Sequence, residues 1–95
     1  MGQPAARIGD MHVCPVASPA PHVGGPILPA GEITVLIGGM PAARVGDMAA
    51  CTGPPDSILV GSSTVFIGGM PAARLGDATA HGGSIILGEF TVLIG

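Results

Sequence analysis

The sequence contains no tryptophan, tyrosine or lysine, and only two phenylalanines, two cysteines and nine charged side chains among 95 residues. Each shortage removes a class of function. Three arginines against six acidic residues give a net charge of −3, which is no electrostatic footprint for nucleic acid or an anionic membrane. Two phenylalanines provide no platform on which bases stack. Two cysteines do not make a disulfide-rich secreted scaffold. The opening Met-Gly-Gln-Pro-Ala-Ala-Arg has no basic segment followed by an apolar run, so no signal peptide is expected. The longest stretch without charge, Met11 to Gly31, is interrupted by Pro15, Pro19, Pro21, Pro26 and Pro29, which a membrane helix does not tolerate.

What the chain has in quantity is glycine and proline, together 27 of 95 residues. That proportion ordinarily marks disorder, but disorder goes with low hydrophobicity and high charge. Here 47% of residues are apolar and 9% charged. A chain with much to bury and few helix-compatible stretches is expected to be all-β, built of short strands and turns in one domain over residues 1–95.

Internal repetition organises it. Pro4-Ala-Ala-Arg-Ile-Gly-Asp10 recurs at Pro41–Asp47 and Pro71–Asp77, and Thr34-Val-Leu-Ile-Gly38 recurs at Thr64–Gly68 and Thr91–Gly95. The strand word runs directly into the proline word in the two interior copies. At the ends the unit is cut, so the C-terminal half-repeat and the N-terminal half-repeat complete a third unit by pairing. This phase predicts a closed ring of three pseudo-threefold β-hairpin repeats, which also leaves no open sheet edge. Further strands are expected at Ser57–Val60 and Ser84–Leu87, with Val23–Leu28 as their counterpart in the first unit. No helix longer than a turn is expected.

All three basic residues occupy one repeat position, and each precedes an aspartate by three residues: Arg7 and Asp10, Arg44 and Asp47, Arg74 and Asp77. A guanidinium that clamps a carboxylate fixes a loop in a domain with little core. Partner docking and a solvated surface pair are the alternatives.

His12, Cys14, His22, Cys51 and His81 follow the three proline words. Counted from the repeat proline, Cys14, Cys51 and His81 stand at the same position, with His12 two residues earlier and His22 on a longer loop. Four N/S ligands in a small closed domain suit a structural tetrahedral zinc, which would add folding free energy. Iron is the alternative ion. Packed or merely exposed side chains are the plainer reading, since neither a C-x-x-C nor an H-E-x-x-H spacing is present. Nothing marks an activated nucleophile, and an enzyme is not expected.

The three Pro-Ala-Ala-Arg words, the Gly-Asp after each and His81-Gly82-Gly83 resemble the PAAR-repeat family over essentially the whole chain. The resemblance implies a small conical domain that caps a trimeric VgrG-type spike of the bacterial type VI secretion system, or the related tail spike of contractile phages. It implies one chain per trimer, a monomer by itself, no nucleic-acid partner and contact with a target membrane only during puncture. It implies a cytoplasmic location within the assembled apparatus, followed by ejection. It also implies a zinc near the tip held by three histidines and one cysteine, which carries over to His12, His22, Cys51 and His81, with a set containing Cys14 as the competing assignment. Loss of Cys51 or His81 is then expected to cost more stability than loss of Cys14. The base that meets the spike is expected to use Thr34, Leu36, Thr64, Phe66, Thr91 and Leu93. Many members carry toxin extensions; this chain resembles the stand-alone form, which holds effectors non-covalently. A metal-binding adaptor that links effectors to a spike or phage tail is the alternative function.

Overall fold

The computed structural model describes residues 2–14, 24–29, 31–51 and 56–95. Among these there is no helix, and the strands are β1 (Gln3–Ala5), β2 (His12–Val13), β3 (Gly24–Ile27), β4 (Glu32–Ile37), β5 (Met40–Ala42), β6 (Met48–Cys51), β7 (Asp56–Ser57), β8 (Phe66–Ile67), β9 (Met70–Pro71), β10 (Ser84–Ile85) and β11 (Glu89–Ile94). Three antiparallel pairs repeat one design. β4 meets β5 with Ile37 opposite Met40, and β8 meets β9 with Ile67 opposite Met70. The Gly-Gly turns between them have both φ values positive, near 57° and 84°, the conformation that suits a right-twisted two-residue hairpin. β11 meets β1 with Ile94 opposite Gln3, so the two ends of the chain form the third pair.

Each residue of the proline word has a task. The proline has no N–H to donate, but its carbonyl accepts from the preceding unit: Pro41 O from Ile8 N at 2.9 Å, Pro71 O from Val45 N at 2.9 Å and Pro4 O from Leu75 N at 2.8 Å. The second alanines close a ring of their own. Ala6 N donates to Ala73 O, Ala73 N to Ala43 O and Ala43 N to Ala6 O, at 3.0–3.1 Å. Both rings are cyclic, so the three units meet around one pseudo-threefold axis. A side chain larger than alanine would collide where three backbones converge, and all six alanines are buried.

The two alanines of each word also divide the core. Ala5, Ala42 and Ala72 pack with Ile37, Ile67 and Ile94 from the hairpins. Ala6, Ala43 and Ala73 pack with Ile27, Ile58 and Ile85, together with Ile8 and Ala49. The core is therefore two small layers of threefold-related alanines and isoleucines, joined by the Ala-Ala step.

Arginine, glycine and aspartate then turn the chain. In every unit the aspartate N–H donates to the arginine carbonyl at 3.0 Å, with φ of 93–95° at the intervening glycine, as a type II turn requires. The aspartate carboxylate in turn accepts from the arginine backbone N–H at 2.7–2.8 Å. The side-chain clamp expected from the spacing is closed in two units. Arg7 reaches Asp10 at 2.9 and 3.1 Å, and Arg74 reaches Asp77 at 2.8 and 3.1 Å, whereas Arg44 stands 3.7 Å from Asp47. Asp77→Ala is accordingly expected to destabilise the fold by roughly 1 kcal/mol more than Asp47→Ala, because it opens a forked ion pair as well as the turn. Denaturant unfolding of the two variants measures the difference.

A second set of contacts ties each hairpin to the arginine that follows it. Arg7 bonds Glu89 and Arg44 bonds Glu32, each at 3.3 Å. In the third unit Ser62 occupies the glutamate's place. Its hydroxyl accepts from Thr64 N and Val65 N at 3.1 and 2.9 Å and donates to Gly95 O, while Arg74 turns to Gly61 O and Gly95 O. This cap is why β8 starts at Phe66 and not at Thr64. The strands expected at Ser57–Val60 and Ser84–Leu87 are also shorter. After the buried Ile58 and Ile85 the chain lies exposed and bonds a neighbouring unit, Leu59 N to Ala78 O and Ile86 N to Met11 O. β3 supplies their counterpart, with Ile27 in the core and Pro26 exposed at its edge.

The glutamates carry a pH dependence. Hydrogen bonds from the Thr34 side chain and backbone, supported by Arg44, hold the Glu32 carboxyl below its ordinary value near 4.5. Glu89 is lowered by the Thr91 backbone and hydroxyl and then by Arg7. A carboxyl lowered on folding stabilises above its unfolded value, and that contribution is lost as the pH falls through the folded one. Melting temperature is therefore expected to decline below about pH 4.5, and to decline less in a Glu32→Gln/Glu89→Gln variant. Scanning both proteins from pH 7 to pH 3 checks this.

Candidate metal centre

Cys14, Cys51 and His81 come together, one from each unit, because they share a position in the repeat. Cys14 follows β2, Cys51 ends β6, and His81 sits in a turn closed by Gly82 N donating to Thr79 O at 3.0 Å. β6 packs through Ala49, and β2 through its partner's Ile85, on the alanine layer away from the hairpins. The Cys14 and Cys51 sulfurs are 3.1 Å apart, Cys14 Sγ lies 3.4 Å from His81 Nδ1, and all three ligand atoms fall within 4.8 Å of one another. Cys14 is buried, and the other two are half-buried.

Zinc bonds of about 2.3 Å to sulfur and about 2.0 Å to imidazole span tetrahedral edges of roughly 3.5–3.8 Å. The separations of 3.1 and 3.4 Å are shorter than these edges but of the same order, and two thiols with an imidazole are the soft donor set zinc takes. The three residues therefore fit such an ion, which would cross-link the three units.

The expected ligands divide. Cys51 and His81 belong to the group. His12 is not in the group: it is buried, Nδ1 donates to Gly25 O at 2.8 Å, and Nε2 lies 3.1 Å from Asp56 Oδ2. His22 lies outside the described residues. Cys14, the competing assignment, stands beside Cys51 and His81 in the group. Equivalence in the repeat pointed to it directly, whereas the family's ligand types pointed to His12.

Asp56 had no signal in the sequence, yet it organises the site. Fully buried, its Oδ1 accepts from Ser57 N at 2.8 Å and from His81 N at 2.9 Å. Burial pushes its carboxyl up, but the Thr79 side chain and those two N–H groups, with His81 nearby, outweigh it and hold the group below its usual range. A buried anion thus fixes the His81 loop through its backbone N–H.

The hairpin residues expected to meet a partner are all exposed. Leu36, Phe66 and Leu93 are 61%, 59% and 61% exposed at equivalent places. The Thr34 and Thr91 hydroxyls are occupied by Glu32 and Glu89 at 2.8 and 3.0 Å, and Thr64 lies 3.2 Å from the Ser62 hydroxyl. The threonines therefore shape the hairpins, and the apolar side chains remain available.

No curated protein matches the chain. Residues 17–87 match the PAAR motif family, 71 of 95 positions. With the three words folded into one closed ring, the chain belongs to the PAAR-motif family, a structural family of spike tips.

Proposed function

We propose that the protein is a non-enzymatic tip that docks as a single copy on the end of a trimeric VgrG-type spike, stiffened by one zinc at Cys14, Cys51 and His81. The observation that carries this reading is the symmetry. Two closed rings of backbone bonds present Leu36, Phe66 and Leu93 as three equivalent exposed apolar points, so one chain can satisfy three identical patches at once. In this reading the tip assembles with the spike in the bacterial cytoplasm and leaves with it, and effectors ride non-covalently. Zinc performs no chemistry here; it ties the three units where load concentrates.

A Leu36→Asp/Phe66→Asp/Leu93→Asp variant tests the docking surface. It is expected to keep its melting temperature within a few degrees, since these side chains are exposed, and to weaken spike binding by about a hundredfold or more. Unchanged affinity in titration calorimetry would remove the hairpins from the interface. The adaptor reading has its own support in Leu59, Val60, Ile86 and Leu87, which are exposed outside the hairpins and free to meet an effector while the base is engaged.

A further inference from the structure

The two sulfurs of the metal group have a second chemistry. Zinc-sharing thiolates stand about 3.8 Å apart, by the bond length of about 2.3 Å, and a disulfide draws its sulfurs to about 2.05 Å. Cys14 Sγ and Cys51 Sγ are 3.1 Å apart, between the two. They lie 37 positions apart in sequence, in different repeat units, so a bond between them would link two units much as the metal links three. Access is unequal: Cys51 is half-buried and Cys14 is buried.

We propose that Cys14 and Cys51 form a disulfide in the metal-free chain, and that this bond and the metal exclude one another. The inference rests on the metal reading above only for that exclusion. With a peroxide as oxidant, the accessible Cys51 thiolate attacks one peroxide oxygen, the O–O bond breaks, and the hydroxide that leaves takes up the proton the thiol released, so a sulfenic acid and water result. The Cys14 thiolate then attacks the Cys51 sulfur and expels the sulfenic oxygen as hydroxide, which takes up the Cys14 thiol proton to give a second water. Two thiols have lost two electrons and the peroxide has gained them. Any bound zinc leaves as the unchanged divalent ion, since its ligands have become one neutral disulfide. A thiol reductant reverses the step and restores the site.

The test exposes the zinc-stripped and zinc-loaded chain to hydrogen peroxide, following intact mass and zinc release with a chromogenic chelator. The stripped chain is expected to lose the mass of two hydrogens, with residues 14 and 51 in one linked proteolytic fragment. The loaded chain is expected to react at least about tenfold more slowly and to release one zinc per disulfide. In Cys14→Ser the reaction should stop at a Cys51 sulfenic acid that dimedone traps. Only intermolecular dimers or over-oxidised thiols in the stripped chain would overturn the proposal, as would equal rates with zinc retained beside the bond. A chain that forms the bond but never binds zinc would support the disulfide and overturn the metal reading, so the two failures separate.

Discussion

Replacement of Cys14, Cys51 or His81 by alanine is expected to lower the melting temperature of the zinc-loaded protein by a similar, large amount in all three cases. The three donors are symmetry-related and within 4.8 Å of each other, so each loss removes one of the links among three units. The folding free energy contributed by a structural zinc is large compared with the roughly 5–15 kcal/mol that holds a small domain together. Loss of one ligand is expected to cost several kcal/mol, or upwards of about 15 °C at 4–8 °C per kcal/mol. A chelator should reproduce the shift in the wild type and have little further effect on the variants. The reading from sequence, with His12 as a ligand, expects Cys14→Ala to be the mild substitution instead. His12→Ala separates the ligand roles: it should also destabilise, by emptying a buried ring site, but leave a bound zinc detectable in native mass spectra. A His12→Ala protein without metal, beside a Cys14→Ala protein that keeps it, would return the ligand set to His12.

Ile27→Ala, Ile58→Ala and Ile85→Ala are expected to cost about 2–5 kcal/mol each, or roughly 10–30 °C. These are the largest fully buried aliphatic side chains, each about 1% exposed, and they fill one layer with the axial alanines. The core holds few side chains, so an emptied position has little neighbouring volume with which to collapse. Because the three sites are threefold-related, the three costs should agree within about 1 kcal/mol, which unfolding curves resolve. A site that costs far less would show that the symmetry of the backbone rings does not extend to the packing. Ala43→Leu, which forces bulk into the axis, is expected to be at least as damaging and to lower the yield of folded protein.

The repeat words make the ring legible in the sequence, because their phase at the two ends leaves a half-unit at each. β11 on β1 is that pairing. The same arithmetic marked Cys14, Cys51 and His81 as equivalent, and equivalence brought them together where the family's ligand types favoured His12. Strand lengths were less legible. After their leading serines, Ser57–Val60 and Ser84–Leu87 are apolar, and only the converging backbones decide that the chain leaves the core after Ile58 and Ile85. Asp56 was invisible, since a lone aspartate after two prolines reads as a turn until the fold buries it against the His81 loop. The open Arg44–Asp47 clamp was likewise beyond reach, because the three arginine words differ in only one residue.

Native mass spectrometry of the chain mixed with the spike trimer from the same genome tests the central claim most directly. The account expects one complex composed of one chain, one zinc and three spike subunits, with the triple hairpin variant absent from it. Complexes that saturate at three chains per trimer, or a zinc-loaded chain that ignores the trimer, would contradict it.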